Sequence, residues 1–203
     1  MIGIFIEPNY EIYKFINKWK LRIKKRKIKT KFIYHPPHST IYLANLRDHK
    51  KIFLSVKMVA QNFKNFSITL NKTGVFVNDK LTGADTIYLN IKKNKNLFLL
   101  QKELAKKLKF FIKGDIKKKM KVEFIDKRLN NSQKKFGFPF VGSHWVPHFT
   151  IGSIKDYVKT SEYKEFKNLK INFQNKIDKV SIWKISGEKH FKLKEFKFHK
   201  KQV

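Results

Sequence analysis

The order of elements predicted from the sequence indicates an α+β fold with largely antiparallel sheets. Three observations support this class: short apolar runs typical of strands occur in groups, helical periodicities separate the groups, and turn-forming residues lie between neighbouring strands. The chain has 203 residues, of which 41% are hydrophobic and 15% aromatic. That length and composition suffice for one domain with a buried core, so a disordered chain is excluded.

Strands and helices alternate in the first half of the chain. The apolar run at residues 2–6 is closed by Glu7-Pro8, which is typical of a strand that ends in a turn. Asn9 is well placed to cap the helix that follows. In order, the predicted elements are strand 2–6, helix 9–26, strand 31–34, extended segment 38–46, helix 50–65, strands 66–70, 74–77 and 86–91 with turns at 71–73 and 78–79, and helix 96–111.

The second half is less regular. Residues 113–135 are rich in Lys and weakly patterned, so we expect mainly a loop, with one candidate strand at 120–125. After Gly187, Phe and Leu alternate with Lys, a pattern compatible with an edge strand or with a basic arm. The other predicted elements are an extended segment at 146–152, a short helix at 158–168, and strands at 171–173 and 180–186.

The charge balance is strongly positive. Lys and Arg number 47 and Asp and Glu 15, a formal net charge of +32, and only four of the basic residues are Arg. A chain with this net charge creates a positive electrostatic field, which attracts polyanions such as nucleic acid. Because Lys is a hydrated point charge, it favours diffuse attraction over the reading of bases. Two explanations of the Lys content stay open, namely an anionic partner and an AT-rich genome.

The chain contains no Cys, which excludes disulfide scaffolds, thiolate zinc sites, iron–sulfur clusters and Cys nucleophiles. No apolar stretch reaches the roughly 18 residues of a membrane span. The first residues lack the basic region and cleavage site of a signal peptide. The last two observations predict a cytoplasmic protein without a membrane partner. We also expect a monomer, although no feature of the sequence determines the oligomeric state.

One short pattern occurs twice. The segments 38–41 (His-Ser-Thr-Ile) and 148–151 (His-Phe-Thr-Ile) share the form His-x-Thr-hydrophobic, and each follows a Pro. Both lie on predicted extended segments, where side chains two apart point to the same face. Each His therefore projects with its Thr, and each Ile points towards the core. Two copies in this context are hard to attribute to chance.

Two such segments, facing each other across a cleft, would suit phosphodiester chemistry without a metal. A neutral His accepts the proton of an attacking hydroxyl or water, and a protonated His gives one to the leaving oxygen. The hydroxyls of Thr40 and Thr150 are suited to donate to the non-bridging phosphate oxygens. The motifs are nearly equivalent, so the choice of base between His38 and His148 stays open.

With these motifs the sequence resembles the two-histidine (2H) phosphoesterase superfamily, which includes the RNA ligase-like 2′,3′-cyclic phosphodiesterases. The two His-x-Thr segments match the paired signature of the family. Residues 4–8 look like its opening strand, residues 180–185 look like its closing strand, and the layout of residues 66–111 is similar to the part between. The resemblance covers most of the chain, apart from residues 113–135 and the tail after Gly187.

The resemblance implies a single bilobal domain over residues 1–203, with two antiparallel sheets and outer helices around a central cleft. The tail at about 188–203 is expected to be a basic extension of this domain. By the same resemblance, His38 and His148 are the catalytic pair, Thr40 and Thr150 bind the phosphate, and neither a metal nor another cofactor is needed. The implied substrate is RNA or an oligonucleotide with a scissile phosphate on a ribose 2′ oxygen, either a 2′,3′-cyclic end or a 2′,5′ linkage.

Two aromatic residues near the motifs are weaker candidates for substrate binding, with core packing as the alternative. Tyr42 shares the face of His38, and Trp145 precedes the second motif, in a position to stack on a base. His144 does not suit a shared metal with His148, because Pro147 opposes the helix that such a pair requires. Two other functions remain open: hydrolysis of a 2′,5′-linked or cyclic oligonucleotide defence signal, and RNA binding without catalysis.

Overall fold

The fold consists of two antiparallel sheets flanked by helices. The computed structural model describes residues 1–26, 30–113, 126–187 and 189–199. Nine strands lie within these ranges: β1 (Ile2–Ile6), β2 (Thr30–Lys31), β3 (Ser39–Ala44), β4 (Phe66–Asp79), β5 (Ala84–Ile91), β6 (His148–Ile154), β7 (Phe173–Ile177), β8 (Lys179–Ser186) and β9 (Lys189–Lys197). The predicted α+β class with two antiparallel sheets is confirmed.

Each sheet combines strands from both ends of the chain. The first sheet has the order β3-β1-β8-β9, and the second has the order β2-β6-β5-β4-β7. The pairs between these strands are antiparallel. Strand β3 of the first sheet and β6 of the second contact each other. The two sheets therefore meet at the strands that carry the His-x-Thr motifs.

Helices pack against both sheets. The described ranges contain α1 (Tyr10–Lys24), α2 (His49–Gln61), α3 (Lys95–Leu108), α4 (Lys127–Phe136) and α5 (Ser161–Lys167). Helices α2 and α3 contact strands of the first sheet, and α1 and α5 contact strands of the second. Across the described ranges, none of the helices combines the length and the apolar character that crossing a bilayer requires.

Helix α1 shows how the sequence builds one of these contacts. The Asn9 side chain accepts a hydrogen bond from the Ile12 amide at 3.1 Å, as the capping pattern predicts. The backbone amide of Asn9 donates a hydrogen bond to Asn175 Oδ1 at 2.9 Å, which connects the start of the helix to β7. Burial of each large apolar side chain on one face contributes about 1.5–3 kcal/mol. The buried apolar residues are Ile12, Ile16, Trp19 and Ile23.

Strand β4 differs from the prediction. The sequence favours two short strands with a turn at 71–73, but the structure has one strand of 14 residues. Its first part pairs with β7 and its later part pairs with β5. The register with β5 shifts between Leu70 and Lys72, which is a bulge that disturbs the alternation of polar and apolar residues. The polar triplet therefore marks a bulge and not a turn.

Helix α4 occupies residues that the sequence predicts to be loop. The Asp126 side chain caps it, and Gly137, with φ at +66°, ends it in the left-handed conformation. Among its described residues only Ser132 is buried, so the sequence has no apolar periodicity that would predict the helix. The candidate strand at 120–125 lies outside the described residues.

The ends of two other predicted strands also differ. Strand β2 stops at Lys31 because Phe32 adopts φ of +66°, where a strand cannot continue. Strand β7 begins at Phe173, where the sequence predicts a strand to end.

The tail after Gly187 is an edge strand. In its described part, residues 189–197 form β9, which pairs with β8 over eight positions. Of the two structures compatible with the sequence pattern, the edge strand is thus the one observed. The basic extension expected at about 188–203 is, over these residues, an integral part of the first sheet.

Candidate active site

The two motif strands expose one face and bury the other. His38 immediately precedes β3, and His148 begins β6. Both His side chains and both motif Thr side chains are half-buried, whereas Ile41 and Ile151 are fully buried in the core. This alternation agrees with the strand geometry predicted for both motifs. Because β3 and β6 contact each other, the motifs lie on neighbouring strands of different sheets.

Both imidazoles are held by the same local hydrogen bond. His38 Nδ1 lies 2.7 Å from the Pro36 carbonyl, and His148 Nδ1 lies 2.7 Å from the Val146 carbonyl. A carbonyl only accepts, so Nδ1 carries the proton in each ring. This leaves Nε2 of each neutral ring as an acceptor. A Pro between carbonyl and His restricts the residue before it to extended backbone, which favours this repeated geometry.

Each motif Thr faces an aromatic residue on the neighbouring strand. Thr40 pairs with Phe5 of β1, and Thr150 pairs with Tyr88 of β5. The Phe5 ring stacks on the His38 imidazole, with centroids 3.9 Å apart and an interplanar angle of 17°. The Tyr88 ring centroid lies 5.0 Å from that of His148. The two halves of the site therefore repeat a Thr, an aromatic ring and a His.

A glycine makes room for each aromatic ring. A Cβ at Gly3 would lie 2.4 Å from Cζ of Phe5, and a Cβ at Gly74 would lie 2.4 Å from Cζ of Tyr88. Both distances are far below the 3.5–4.0 Å of an ordinary carbon contact. The backbone of each sheet thus accepts the ring that packs beside a motif His, as a Gly in a strand permits.

A second aromatic ring supports His148. Phe76 stacks on Tyr88 with centroids 4.3 Å apart, and its centroid lies 5.2 Å from that of His148 at an interplanar angle of 77°. The imidazole of His148 is therefore fixed by two rings and one backbone carbonyl.

The surroundings of His38 disfavour its protonation. Burial is the largest cause and, with smaller contributions from His190, His35 and Lys20, lowers the pKa of His38 to about 3. The hydrogen bond to the Pro36 carbonyl acts in the opposite direction. The surroundings of His38 therefore favour the neutral form of its ring.

The surroundings of His148 are different. Burial again lowers its pKa, but the Val146 carbonyl and the negative charge of Asp79 both favour the protonated ring. The two motifs are alike in sequence, yet their electrostatic environments are not.

Tyr42 and Trp145 are both buried and do not line the open site. Tyr42 has an exposed fraction of 0%, and its hydroxyl donates to the Phe136 carbonyl at the end of α4. Trp145 is 5% exposed and packs edge-on against Phe98 of α3, with centroids 5.2 Å apart. These positions contradict the expectation that Tyr42 and Trp145 contact a substrate. Both residues pack in the core instead.

The sequence motifs do not identify three further residues that pack at the site, namely Phe5, Tyr88 and His190. Gly3 and Gly74 are a usable signal for the first two, because a Gly inside a strand often marks a close approach. No local signal identifies His190, which reaches the site through the β8–β9 pairing. In the parts of the chain that the structure describes, no group of three or more His, Asp or Glu side chains is placed to hold a metal ion.

Solved structures share this fold at low sequence identity. TT0787 of Thermus thermophilus superimposes with a TM-score of 0.66 at 13% identity, covering 99% of each chain. Escherichia coli LigT complexed with 3′-AMP gives a TM-score of 0.57 at 14% identity, covering 97% of this chain and 96% of LigT. LigT complexed with NADP+ gives 0.55 at 12% identity, with the same coverage. These likenesses establish the fold.

The sequence itself decides the family. It matches no protein of curated function. The family model described as the 2′-5′ RNA ligase superfamily, however, matches residues 8–189, which is most of the chain and includes both motifs. This is the two-histidine group that the paired motifs resemble. The chain therefore belongs to the 2′-5′ RNA ligase superfamily of two-histidine phosphoesterases.

Proposed function

We propose that this protein is a metal-independent phosphodiesterase that acts on RNA or an oligonucleotide at a phosphate bonded to a ribose 2′ oxygen. His38 and His148 serve as general acid and base, and Thr40 and Thr150 bind the phosphate oxygens. The substrates in question are a 2′,3′-cyclic phosphate end and a 2′,5′ linkage. Family membership makes it a phosphodiesterase-type enzyme, and the substrate and the residue roles are our proposal.

The repeated half-site supports these roles most strongly. In both halves, Nδ1 is bonded to a backbone carbonyl two residues upstream, so Nε2 is the atom available to a ligand. A half-buried Thr stands two residues later on the same face. An enzyme that must remove one proton and deliver another needs two such rings, and the contact between β3 and β6 supports their action on one phosphate.

The proposed reaction is an in-line displacement at phosphorus. One neutral His accepts, at Nε2, the proton of the attacking water or hydroxyl, whose oxygen forms the new bond to phosphorus. The bond from phosphorus to the leaving ribose oxygen breaks, and the second His donates its Nε2 proton to that oxygen. Each Thr hydroxyl donates to a non-bridging oxygen as negative charge develops there. The two His then exchange one proton with solvent, which restores the starting state.

The charge of the chain supports a polyanionic substrate. A net charge of +32 creates a field that raises the local concentration of RNA and speeds its association. Few of the basic residues of the protein are Arg. The attraction therefore depends on the charge of the RNA backbone more than on the base sequence. LigT, which shares the fold, has been crystallised with the nucleotide 3′-AMP.

The first test is a comparison of substrates in EDTA. The protein is incubated with an RNA ending in a 2′,3′-cyclic phosphate, with a 2′,5′-linked oligoadenylate and with a cyclic dinucleotide. A DNA oligonucleotide of matched sequence, which lacks 2′ oxygens, is the control. We expect hydrolysis of at least one of the first two substrates and none of DNA. Turnover of the cyclic dinucleotide alone would favour the defence-signal alternative, and loss of all activity on chelation would contradict the mechanism.

The second test uses variants of the two His residues. His38→Asn and His148→Asn are each expected to lower kcat/KM by about 10²–10⁴-fold, the usual contribution of a general acid or base. His49→Asn is the matched control, since His49 is exposed on α2. All three variants should retain salt-dependent RNA binding. Unchanged turnover in both motif variants would remove the enzymatic role and favour an RNA-binding protein.

A further inference from the structure

A second pair of imidazoles lies beside His38. The ring of His190 has its centroid 5.5 Å from that of His38, and the ring of His35 lies 4.1 Å from that of His190. His190 is also 6.2 Å from Phe5, the ring that stacks on His38. Three imidazoles and one phenyl ring therefore form a continuous cluster on one side of the site.

Three different elements hold this cluster. His190 lies on the edge strand β9, paired with Ile185 of β8. His35 lies in the segment between β2 and β3, where its amide donates to the Phe32 carbonyl at 3.2 Å. Lys20 of α1 is 6% exposed, and its ammonium group donates to the carbonyls of Phe32 and His35. The position of the His35–His190 pair is thus set by packing and not by the motif itself.

The charged groups around the two motif residues differ in sign. Three titratable groups act on His38: His190 of β9, His35 in the segment between β2 and β3, and Lys20 of α1. A positive charge on any of them opposes protonation of the His38 ring. The charged group that acts on His148 is Asp79 at the end of β4, whose negative charge favours protonation. Burial lowers the pKa of both rings, and to about 3 for His38.

We propose that His190 and His35 are positioning residues that add to burial in disfavouring the protonated form of His38, so that His38 is the general base and His148 the general acid of the attack step. This inference rests on the proposed function, because it assigns roles within that reaction. His38 Nε2 takes the proton of the attacking oxygen, and the Nε2–H of His148 protonates the leaving ribose oxygen. The structure thereby separates two motifs that are equivalent in sequence.

The positioning role is tested by NMR titration of the His rings. His190→Phe keeps a ring of similar shape but removes the charge, and should raise the pKa of His38 by roughly half to one unit, since a charge 5.5 Å away in a medium of intermediate to high dielectric has about that effect. His190→Arg keeps the charge but not the shape, and should leave the pKa of His38 low. His49→Phe is the control. A purely structural role predicts the opposite order, with His190→Phe like the wild type, and that result would overturn the proposal.

The assignment of base and acid is tested with a second substrate. Adenosine 2′-(4-nitrophenyl phosphate) releases a stable phenolate, so its cleavage needs a base but no acid. We expect His148→Asn to lose less than about 10-fold in kcat/KM on this ester, and His38→Asn to lose about 10²-fold or more. The reverse order would overturn this inference while leaving the proposed function intact. Absence of turnover by the wild-type protein on every substrate would instead overturn the proposed function, and this inference with it.

Discussion

The substitution Gly74→Ala tests whether the aromatic ring beside His148 positions that residue. The new Cβ would lie 2.4 Å from Cζ and 2.7 Å from the hydroxyl oxygen of Tyr88. An ordinary contact needs about 3.5–4.0 Å, so the Tyr88 ring must move by about 1 Å or more. The same ring packs against Phe76 and the imidazole of His148. The displacement is therefore passed to the motif His.

Two magnitudes follow from this geometry. A misplacement of about 1 Å in a catalytic group costs about 10²-fold in rate, so we expect a loss of that order in kcat/KM. Overpacking costs about 1–3 kcal/mol of unfolding free energy, and Ala recovers about 0.5–1 kcal/mol of backbone entropy in a strand. The net loss should be about 1–2 kcal/mol, measured by urea unfolding, and the protein stays folded at 25 °C.

Gly152→Ala is the matched control. Gly152 lies on β6, two residues after Thr150, and a Cβ there would meet Ile33 Cδ1 at 3.5 Å, an ordinary contact. We expect its kcat/KM to stay within about threefold of the wild type. The double variant Gly74→Ala/Tyr88→Leu removes the overlapping ring, so the two changes should be non-additive in stability. Equal kinetics for the Gly74 and Gly152 variants would refute the positioning argument.

Three further predictions concern groups outside the motifs. Gln101→Leu removes the hydrogen bonds of a fully buried amide to Ile41, Phe140 and Gly142, and should cost roughly 3–5 kcal/mol in urea unfolding; a loss below about 1 kcal/mol would contradict this. Burial lowers the pKa of Lys20 from 10.5 to about 8, so the unfolded state binds more protons between these values; unfolding free energy should rise with pH over that window by at most about 3 kcal/mol, and Lys20→Met should abolish the rise. Arg22→Gln breaks a pair whose side chains are about half exposed, and should change stability by less than about 1 kcal/mol in the same assay.

The elements that were predictable from the sequence carry their own local signals. Helix α1 has both a capping residue, Asn9, and apolar residues at regular spacing, and the structure starts it where that pattern does. Strand β1 is bounded by Glu7-Pro8 and is buried throughout. Such elements are recognised because propensity, periodicity and termination agree.

The elements that were missed lack one of these signals. Helix α4 has few apolar residues, and its only marks are Asp126 and Gly137 at its ends. The bulge in β4 places polar residues inside a strand, and its continuation depends on pairing with β5 and β7, which lie far apart in the chain. Local pattern cannot report a strand whose stability comes from distant partners.

Some residues of the candidate site can likewise be predicted from the sequence, and others cannot. The motif residues stand out because a short pattern is repeated, and the structure puts His and Thr on one accessible face in both copies. The groups that distinguish the two copies do not stand out, because Asp79 and His190 approach through tertiary contacts. Tyr42 is the opposite case, because the sequence pattern suggests a site residue that the structure buries. Strand alternation predicts that Tyr42 shares a face with Thr40, but Tyr42 packs against the end of α4.

Binding of one phosphate by both imidazoles can be measured directly by NMR. The ¹⁵N-labelled protein is titrated with adenosine 2′-monophosphate, and the ring nitrogens are assigned with His38→Asn and His148→Asn. If both rings bind one phosphate, the Nε2 resonances of both residues shift with a single shared Kd, and either substitution weakens the response of the remaining ring. Two different Kd values, or a response confined to one of the two rings, would contradict it.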